Sequence, residues 1–217
     1  MKKISSALIS VYSKENIDEI CLLLSSKNIK IYSTGGTYNY IKNLGIDVEK
    51  VEDITSYPSI LNGRVKTLHP KIFGGILKTS SQSDKEDSKK YNIPDIDLVI
   101  VDLYPFEETV KNSNVHEEII EKIDIGGISL IRASAKNYER VVCISSNNQY
   151  QDLIKVLNDG CATSLDYRKN LAKKAFEISS KYDFKIAEYI SKNGEKSESN
   201  IIKELRYGEN PHQKGRF

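Results

Sequence analysis

No stretch of this sequence approaches the roughly 20 consecutive apolar residues that a helical membrane span requires. Its start, Met-Lys-Lys-Ile-Ser-Ser, enters a short strand-like run instead of the apolar core of a signal peptide. A soluble, cytoplasmic protein with no membrane partner is the expectation. Cysteine is scarce. Cys21, Cys143 and Cys161 are odd in number, form no Cys-x-x-Cys pair and sit in apolar or helical patterns, so they read as reduced thiols and not as a disulfide framework. His69, His116 and His212 are too dispersed to suggest a metal site, and no metal is expected. An excess of either charge is missing as well: 32 basic against 30 acidic residues leave a formal charge of +2, with no footprint for nucleic acid. Any anionic ligand must therefore be held locally. Neither a Walker motif nor Gly-x-Gly-x-x-Gly occurs, which disfavours nucleoside-triphosphate and dinucleotide readings. Tryptophan is absent and Lys, Asn, Ile, Ser and Tyr are abundant, a codon-composition bias that carries no functional information. No internal repeat is found.

What is present is an alternation of short apolar runs and amphipathic stretches. Ala7 to Val11 predicts a strand, followed by Ser13 as cap of a helix from Lys14 with Ile17, Ile20, Leu23 and Leu24 on one face. Ile29 to Tyr32 predicts a second strand, Thr37 to Leu44 a helix closed by Gly45, and Val48 to Val51 a third strand. Ser56 to Leu77 reads as a loop running into a short helix, and Thr79 to Tyr91 as a solvated, mobile segment. Leu98 to Leu103 is the most strand-like run, broken by Tyr104-Pro105. Val115 to Ile123 predicts a helix, and Gly126-Gly127 the start of another with Ile128, Ile131 and Ala135 facing inward. Val141 to Ile144 is a last strand, and Asn147 or Asn148 caps a helix towards Leu157. From Tyr167 to Lys192 apolar positions recur every three or four residues, the mark of a long amphipathic helix. This alternation argues an α/β fold with a mainly parallel sheet covered on both faces and ligands at the carboxyl ends of its strands.

Chemistry-bearing residues cluster at those ends. Gly63-Arg64-Val65-Lys66-Thr67-Leu68-His69-Pro70 brings two cations, a hydroxyl and an imidazole between a glycine that permits close approach and a proline that stiffens the exit. Ser33-Thr34-Gly35-Gly36-Thr37 offers backbone N–H groups, hydroxyls and a helix N-terminus, all of which favour an anion such as phosphate, and Lys14 adds a charge. Asp124 before Gly126-Gly127 sets a carboxylate beside backbone donors, an arrangement that serves either as a base with an oxyanion site or as a helix cap. Lys136 follows the predicted helix, where it suits the dipole even without chemistry. Asp102 and Tyr104 stand at another strand end.

Six ordered motifs carry a family resemblance: Ser-Thr-Gly-Gly-Thr, Gly-Arg-Val-Lys-Thr-Leu-His-Pro, Leu-Tyr-Pro-Phe, Ile-Asp-Ile-Gly-Gly, Arg-Ala-Ser-Ala-Lys-Asn and Leu-Arg-Tyr-Gly-Glu-Asn-Pro-His-Gln. In this order the chain resembles the bifunctional purine biosynthesis family, which joins an IMP cyclohydrolase domain to an AICAR transformylase domain. The resemblance implies a three-layer methylglyoxal-synthase-like fold over residues 1–193, with 194–217 as a linker and the opening of the transformylase domain. It implies a reaction without cofactor in which FAICAR closes its second ring to IMP and water, in a homodimer. It further implies Lys66, Tyr104, Asp124 and Lys136 as catalytic, and Ser10, Lys14, Ser33, Thr34, Gly35, Gly36, Arg64, Thr67, Asp102, Ile125, Gly126 and Gly127 as substrate-binding.

Two positions depart from the pattern. Tyr12 stands where the family often has a small hydroxyl residue, and Asp102 where it usually has Asn, placing a charge near an anionic substrate if it points into the site. The tail carries Arg206, Tyr207, Asn210 and His212 of the last motif. It is expected to be poorly ordered beyond Ile202 and, without a folate site, unable to support formylation of AICAR. Methylglyoxal synthase and nucleotide-binding regulatory domains share the fold class and an anion-binding turn. They do not predict Lys66, Tyr104, Asp124 and Lys136 together.

Overall fold

The computed structural model describes residues 1–193, and the expectations for the tail from Gly194 onward lie outside the described residues. Strand β1 (Lys2–Lys3) leads into β2 (Ser6–Ser10), α1 (Ile17–Ser26), β3 (Lys30–Ser33), α2 (Gly35–Asn43), β4 (Glu49–Lys50) and α3 (Val51–Thr55). After a loop come α4 (Pro70–Leu77), α5 (Gln82–Lys90), β5 (Leu98–Val101), α6 (Phe106–Asn112), α7 (His116–Glu121) and α8 (Gly126–Lys136). The described chain ends with β6 (Val142–Ile144), α9 (Tyr150–Asn158), β7 (Ala162–Thr163) and α10 (Leu165–Asn193). Five parallel strands form one sheet in the order β4-β3-β2-β5-β6, and β1 pairs antiparallel with β7.

Why the strands read as continuous apolar runs is explained by the two cores. Successive side chains of a strand point to opposite faces. Ala7, Ile9, Ile31, Leu98, Ile100, Val142 and Ile144 pack on one face against Ile17, Ile20 and Leu24 of α1, Ile41 of α2 and Leu153 and Leu157 of α9. Leu8, Tyr32, Val99, Val101 and Cys143 pack on the other against Ile72 and Ile76 of α4, Leu130, Ile131 and Ala135 of α8, and Ala172 and Ala175 of α10. A sheet buried on both faces leaves no polar stripe in its strands, and the three layers expected from the sequence follow. The three cysteines are free and buried, and burial pushes the Cys21 and Cys143 thiols up to about 12, which keeps both protonated.

Several local expectations are corrected. The segment 79–91 is solvated but helical: Ser81 accepts from the Asp84 N–H at 3.1 Å, Asp84 accepts from the Thr79 N–H at 2.6 Å, and Gln82 donates to Glu86 at 3.0 Å. Capping and pairing one turn apart form α5 without a single buried residue. The third strand is only Glu49–Lys50, because Glu52 and Asp53 favour a helix N-terminus and Val51 already begins α3. Ser13 accepts from the Glu15 N–H, but α1 starts later, at Ile17, behind Asn16 in the left-handed region. Ser146 caps the turn before α9 in a reciprocal box with Gln149, not Asn147 or Asn148. Helix α6 was not expected after Pro105. Helix α10 runs from Leu165, two residues earlier than its apolar spacing predicts.

Candidate active site

The strand order places β2 between β3 and β5, so the chain leaves β2 to one side and later returns on the other. That topological switch opens a crevice at the carboxyl ends of the strands, the usual place for a ligand in an open α/β sheet. A cavity of about 730 Å³ lies there, within the size range of small-molecule sites. Ser10 ends β2, Thr34 follows β3 and Asp102 follows β5, and all three line it.

The two most distinctive sequence motifs meet at one lysine. Gly35 adopts a left-handed φ of 55°, and a Cβ there would lie 3.6 Å from the Lys66 Nζ. The ammonium group therefore sits over the turn that starts α2, near the backbone N–H groups that α2 leaves unpaired at its N-terminus. Gly63, at φ 85°, also approaches Lys66. Thr67 is buried, and a Cβ on Gly126 would lie 3.0 Å from its hydroxyl oxygen, so glycine permits the loop at 63–67 and the start of α8 to pack closely.

Asp124 lines the same cavity. Its Oδ1 accepts from the Gly127 N–H at 2.6 Å, and a Cβ on Gly127 would lie 2.5 Å from its Oδ2. Only glycine leaves room for this carboxylate. Burial raises the Asp124 carboxyl above the usual range, opposed by the Gly127 and Tyr104 N–H groups and by Lys66, and Asp102 raises it further. The Gly127 N–H is thus spent on Asp124. The Gly126 N–H, at the first position of α8, has no acceptor within the helix. Tyr104 lines the cavity too, its phenol pushed above the ordinary value by burial first and then by Asp124, Glu121 and Tyr12.

Of the other residues implied by the resemblance, Gly36, Arg64 and Ile125 line the cavity. Lys14 lines it too, but its Nζ donates to Val11 O at 2.5 Å and Tyr12 O at 2.9 Å, so the charge is committed to the loop after β2. Burial lowers the Lys14 ammonium from its ordinary value, against Asp102. Thr34 is buried and donates to Glu52 Oε1 at 3.2 Å, while Glu52 Oε2 is buried without a hydrogen-bond partner among the described residues. Ser33 does not line the cavity: it points to the same side as Ile31, into the core, and donates to Ile9 O at 2.7 Å. Lys136 is exposed in the last turn of α8, about 15 Å along the axis from Gly126, and lies outside the cavity.

Other residues of the site gave no signal in the sequence. Glu121, which lines the cavity with Arg64, holds it in a two-pronged ion pair, 2.7 Å at its shortest. Lys122 lies 5.6 Å from the Tyr12 ring centroid and 5.5 Å from that of Tyr104. Tyr182, which the helical pattern places on the apolar face of α10, accepts from the Asp124 N–H and donates to Lys122 O, both at 2.9 Å. The long helix thereby holds the loop that carries Asp124. Such a contact depends on the tip of one side chain, which a hydrophobic pattern does not reveal.

The family models that match are an MGS-like domain over residues 16–129 and the AICARFT/IMPCHase bienzyme over residues 134–217. The chain is 54% identical to the bifunctional purine biosynthesis protein PurH of Bacteroides thetaiotaomicron, over 100% of its own length and 44% of the relative's. It is 45% identical to the PurH of Aquifex aeolicus over 96% of its length and 43% of the relative's. It therefore spans less than half the length of these relatives. Among solved structures, the crystal structure of ForH superposes with a TM-score of 0.76 at 34% identity, covering 87% of this chain and 98% of that one. With both family models in order along a chain whose cavity gathers the motif residues, the chain belongs to the bifunctional purine biosynthesis PurH family and corresponds to its N-terminal part.

Proposed function

We propose that this part of the protein is an IMP cyclohydrolase, closing the second ring of FAICAR to give IMP and water. The observation that carries the reading is the convergence of Lys66, Tyr104, Asp124 and the start of α8 on one cavity at the switch point of the sheet. In this reaction the carboxamide nitrogen attacks the formyl carbon and loses a proton, and the tetrahedral oxygen, protonated, leaves as water while the former formamide nitrogen gives up its own proton and forms the ring C=N bond. An amide nitrogen is a weak nucleophile, so holding both groups together supplies much of the acceleration. Asp124, with its raised carboxyl, is the base that takes the amide proton. Lys66 and the Gly126 N–H stabilise the oxyanion, and Tyr104 orients the reacting group and delivers a proton to the leaving oxygen. The turn at Gly35–Gly36, with Thr67 and Arg64 nearby, receives the phosphoribosyl group. Ring closure by dehydration is redox-neutral, and the chemistry calls for no redox cofactor. Lys136 receives no role here, because α8 carries it away from the cavity.

The experiment is direct: purified protein incubated with FAICAR should form IMP, followed by absorbance. Ligand binding without IMP would favour a regulatory nucleotide-binding domain, and methylglyoxal from dihydroxyacetone phosphate would favour a lyase. Gly127→Ala should lower kcat by about tenfold, because the new methyl group displaces the Asp124 carboxylate. A variant with undiminished kcat would show that the position of this carboxylate is not critical.

The same proposal takes residues 1–193 as the cyclohydrolase domain and 194–217 as the start of the transformylase part. The cavity is lined by residues from Ser10 to Gly127. Removing residues 203–217 should therefore leave kcat/KM within about threefold, less than ~1 kcal/mol in transition-state stabilisation. A collapse of activity would place part of the tail at the site.

A further inference from the structure

The loop that leaves the central strand β2 is held on every side. Both carboxylate oxygens of Asp102 face it, Oδ1 accepting from the Tyr12 N–H and Oδ2 from the Ser13 N–H at 2.9 Å. On its other edge the Lys14 Nζ bridges the Val11 and Tyr12 carbonyls. The Thr37 hydroxyl accepts from the Val11 N–H at 3.1 Å and donates to Val11 O at 2.9 Å. The backbone polar groups of Val11 and Tyr12 are all satisfied, and these bonds hold the loop in this conformation. In that conformation Tyr12 lines the cavity, half exposed, edge-on to Tyr104 with centroids 5.4 Å apart. Lys122 lies over both rings.

We propose that Asp102 is a positioning residue for substrate binding, whose two-oxygen grip on the Tyr12 and Ser13 N–H groups sets the Tyr12 ring as an aromatic wall for the flat base of the ligand. The proposal rests on the cyclohydrolase reading. Two successive N–H groups at the end of a central strand would otherwise suit an anion. Asp102 fills that place from within and leaves the phosphate to the Gly35–Gly36 turn. A carboxylate is required for the task. An Asn at 102 has one acceptor oxygen, and its NH2 would face the second N–H donor. The charge expected to oppose an anionic substrate is thus engaged by the two N–H groups of the loop.

The grip also responds to protons. Burial raises the Asp102 carboxyl above the ordinary range, against the Tyr12 and Ser13 N–H groups and Lys14. The other titratable groups around it are Asp124 and Lys122 beside α8, Tyr104 after β5 and Tyr150 of α9. As pH falls through the raised value the carboxyl takes a proton, loses an acceptor and releases the loop, so KM rises. Asp124 titrates on the acid side as well, but as the base it lowers kcat.

The test compares wild type with Asp102→Asn by amide hydrogen exchange and by the pH dependence of KM for FAICAR. The Tyr12 and Ser13 amides should exchange at least about tenfold faster in the variant, with β2 unchanged. KM near neutral pH should rise by about tenfold and kcat fall by no more than about threefold. The acid-side rise of KM should be absent from the variant. Unchanged exchange, or superimposable KM profiles, would overturn the proposal. Tyr12→Leu keeps both N–H bonds and removes the ring. It should raise KM and retain the acid-side rise, and an unchanged KM would overturn the role of the ring. If wild type made no IMP the cyclohydrolase reading would fall, and the same comparisons read as IMP affinity would still decide on Asp102.

Discussion

Asp124→Ala and Lys66→Ala should each lower kcat by on the order of a hundredfold or more and leave IMP affinity within a few-fold, the pattern of groups that act mainly in the transition state. A hundredfold loss corresponds to about 2.7 kcal/mol of barrier, a size expected from removing one preorganised charge or one base. The pH dependence of the wild type gives an independent check. Burial raises the Asp124 carboxyl, so it becomes protonated at a higher pH than an exposed aspartate would. The acid limb of kcat should accordingly stand above the ordinary carboxylate range and vanish in Asp124→Asn. The stability linkage runs in the opposite sense. A carboxyl raised in the folded state favours folding while protonated, and that contribution is lost as pH rises through its folded value. Full turnover by the Lys66 variant would demote the loop at 63–67 to a binding element.

Arg168→Ala carries the largest expected effect on stability. Arg168 is 5% exposed and meets no carboxylate among the described residues. Its guanidinium donates instead to Tyr138 O, Glu139 O, Thr163 O, the Thr163 hydroxyl and Ser164 O at 2.7–3.1 Å. It ties the start of α10 to β7 and to the segment after α8. Truncation removes five hydrogen bonds at once and leaves the buried Thr163 carbonyl unpaired, a loss of about 3 kcal/mol. For a domain of this size the thermal midpoint should fall by roughly 10 °C. Circular dichroism melting would measure it, and a midpoint within about 2 °C of wild type would show that these carbonyls find other partners. Arg168→Lys should recover little of the loss, since one ammonium group cannot span acceptors on three segments.

The layered fold was legible because its physics is periodic. Strands such as Leu98–Val101, apolar at every position, announce a sheet covered on both sides, and the three-to-four spacing from Leu171 to Ile190 announces α10. Glycine at 35 was legible as a turn because the left-handed backbone there suits no other residue as well. Ser33 was misplaced because standing at a strand end says nothing of which face a side chain takes, and strand parity sends it into the core with Ile31. Lys136 was carried to the site by its motif, whereas three turns of α8 separate it from Gly126. Glu52, Glu121, Lys122 and Tyr182 reach the site across long sequence separations, through contacts that depend on tertiary packing. Asp102 was legible as a departure from the family pattern, but its partners, the Tyr12 and Ser13 N–H groups, are 90 and 89 residues away in the chain.

The most direct measurement is IMP formation from FAICAR by wild type, Lys66→Ala and Asp124→Ala side by side, with IMP affinity measured for each by calorimetry. The account predicts IMP from wild type, at least about a hundredfold less from either variant, and affinities within a few-fold of one another. IMP bound but never formed by wild type, or formed at the wild-type rate by Asp124→Ala, would contradict it.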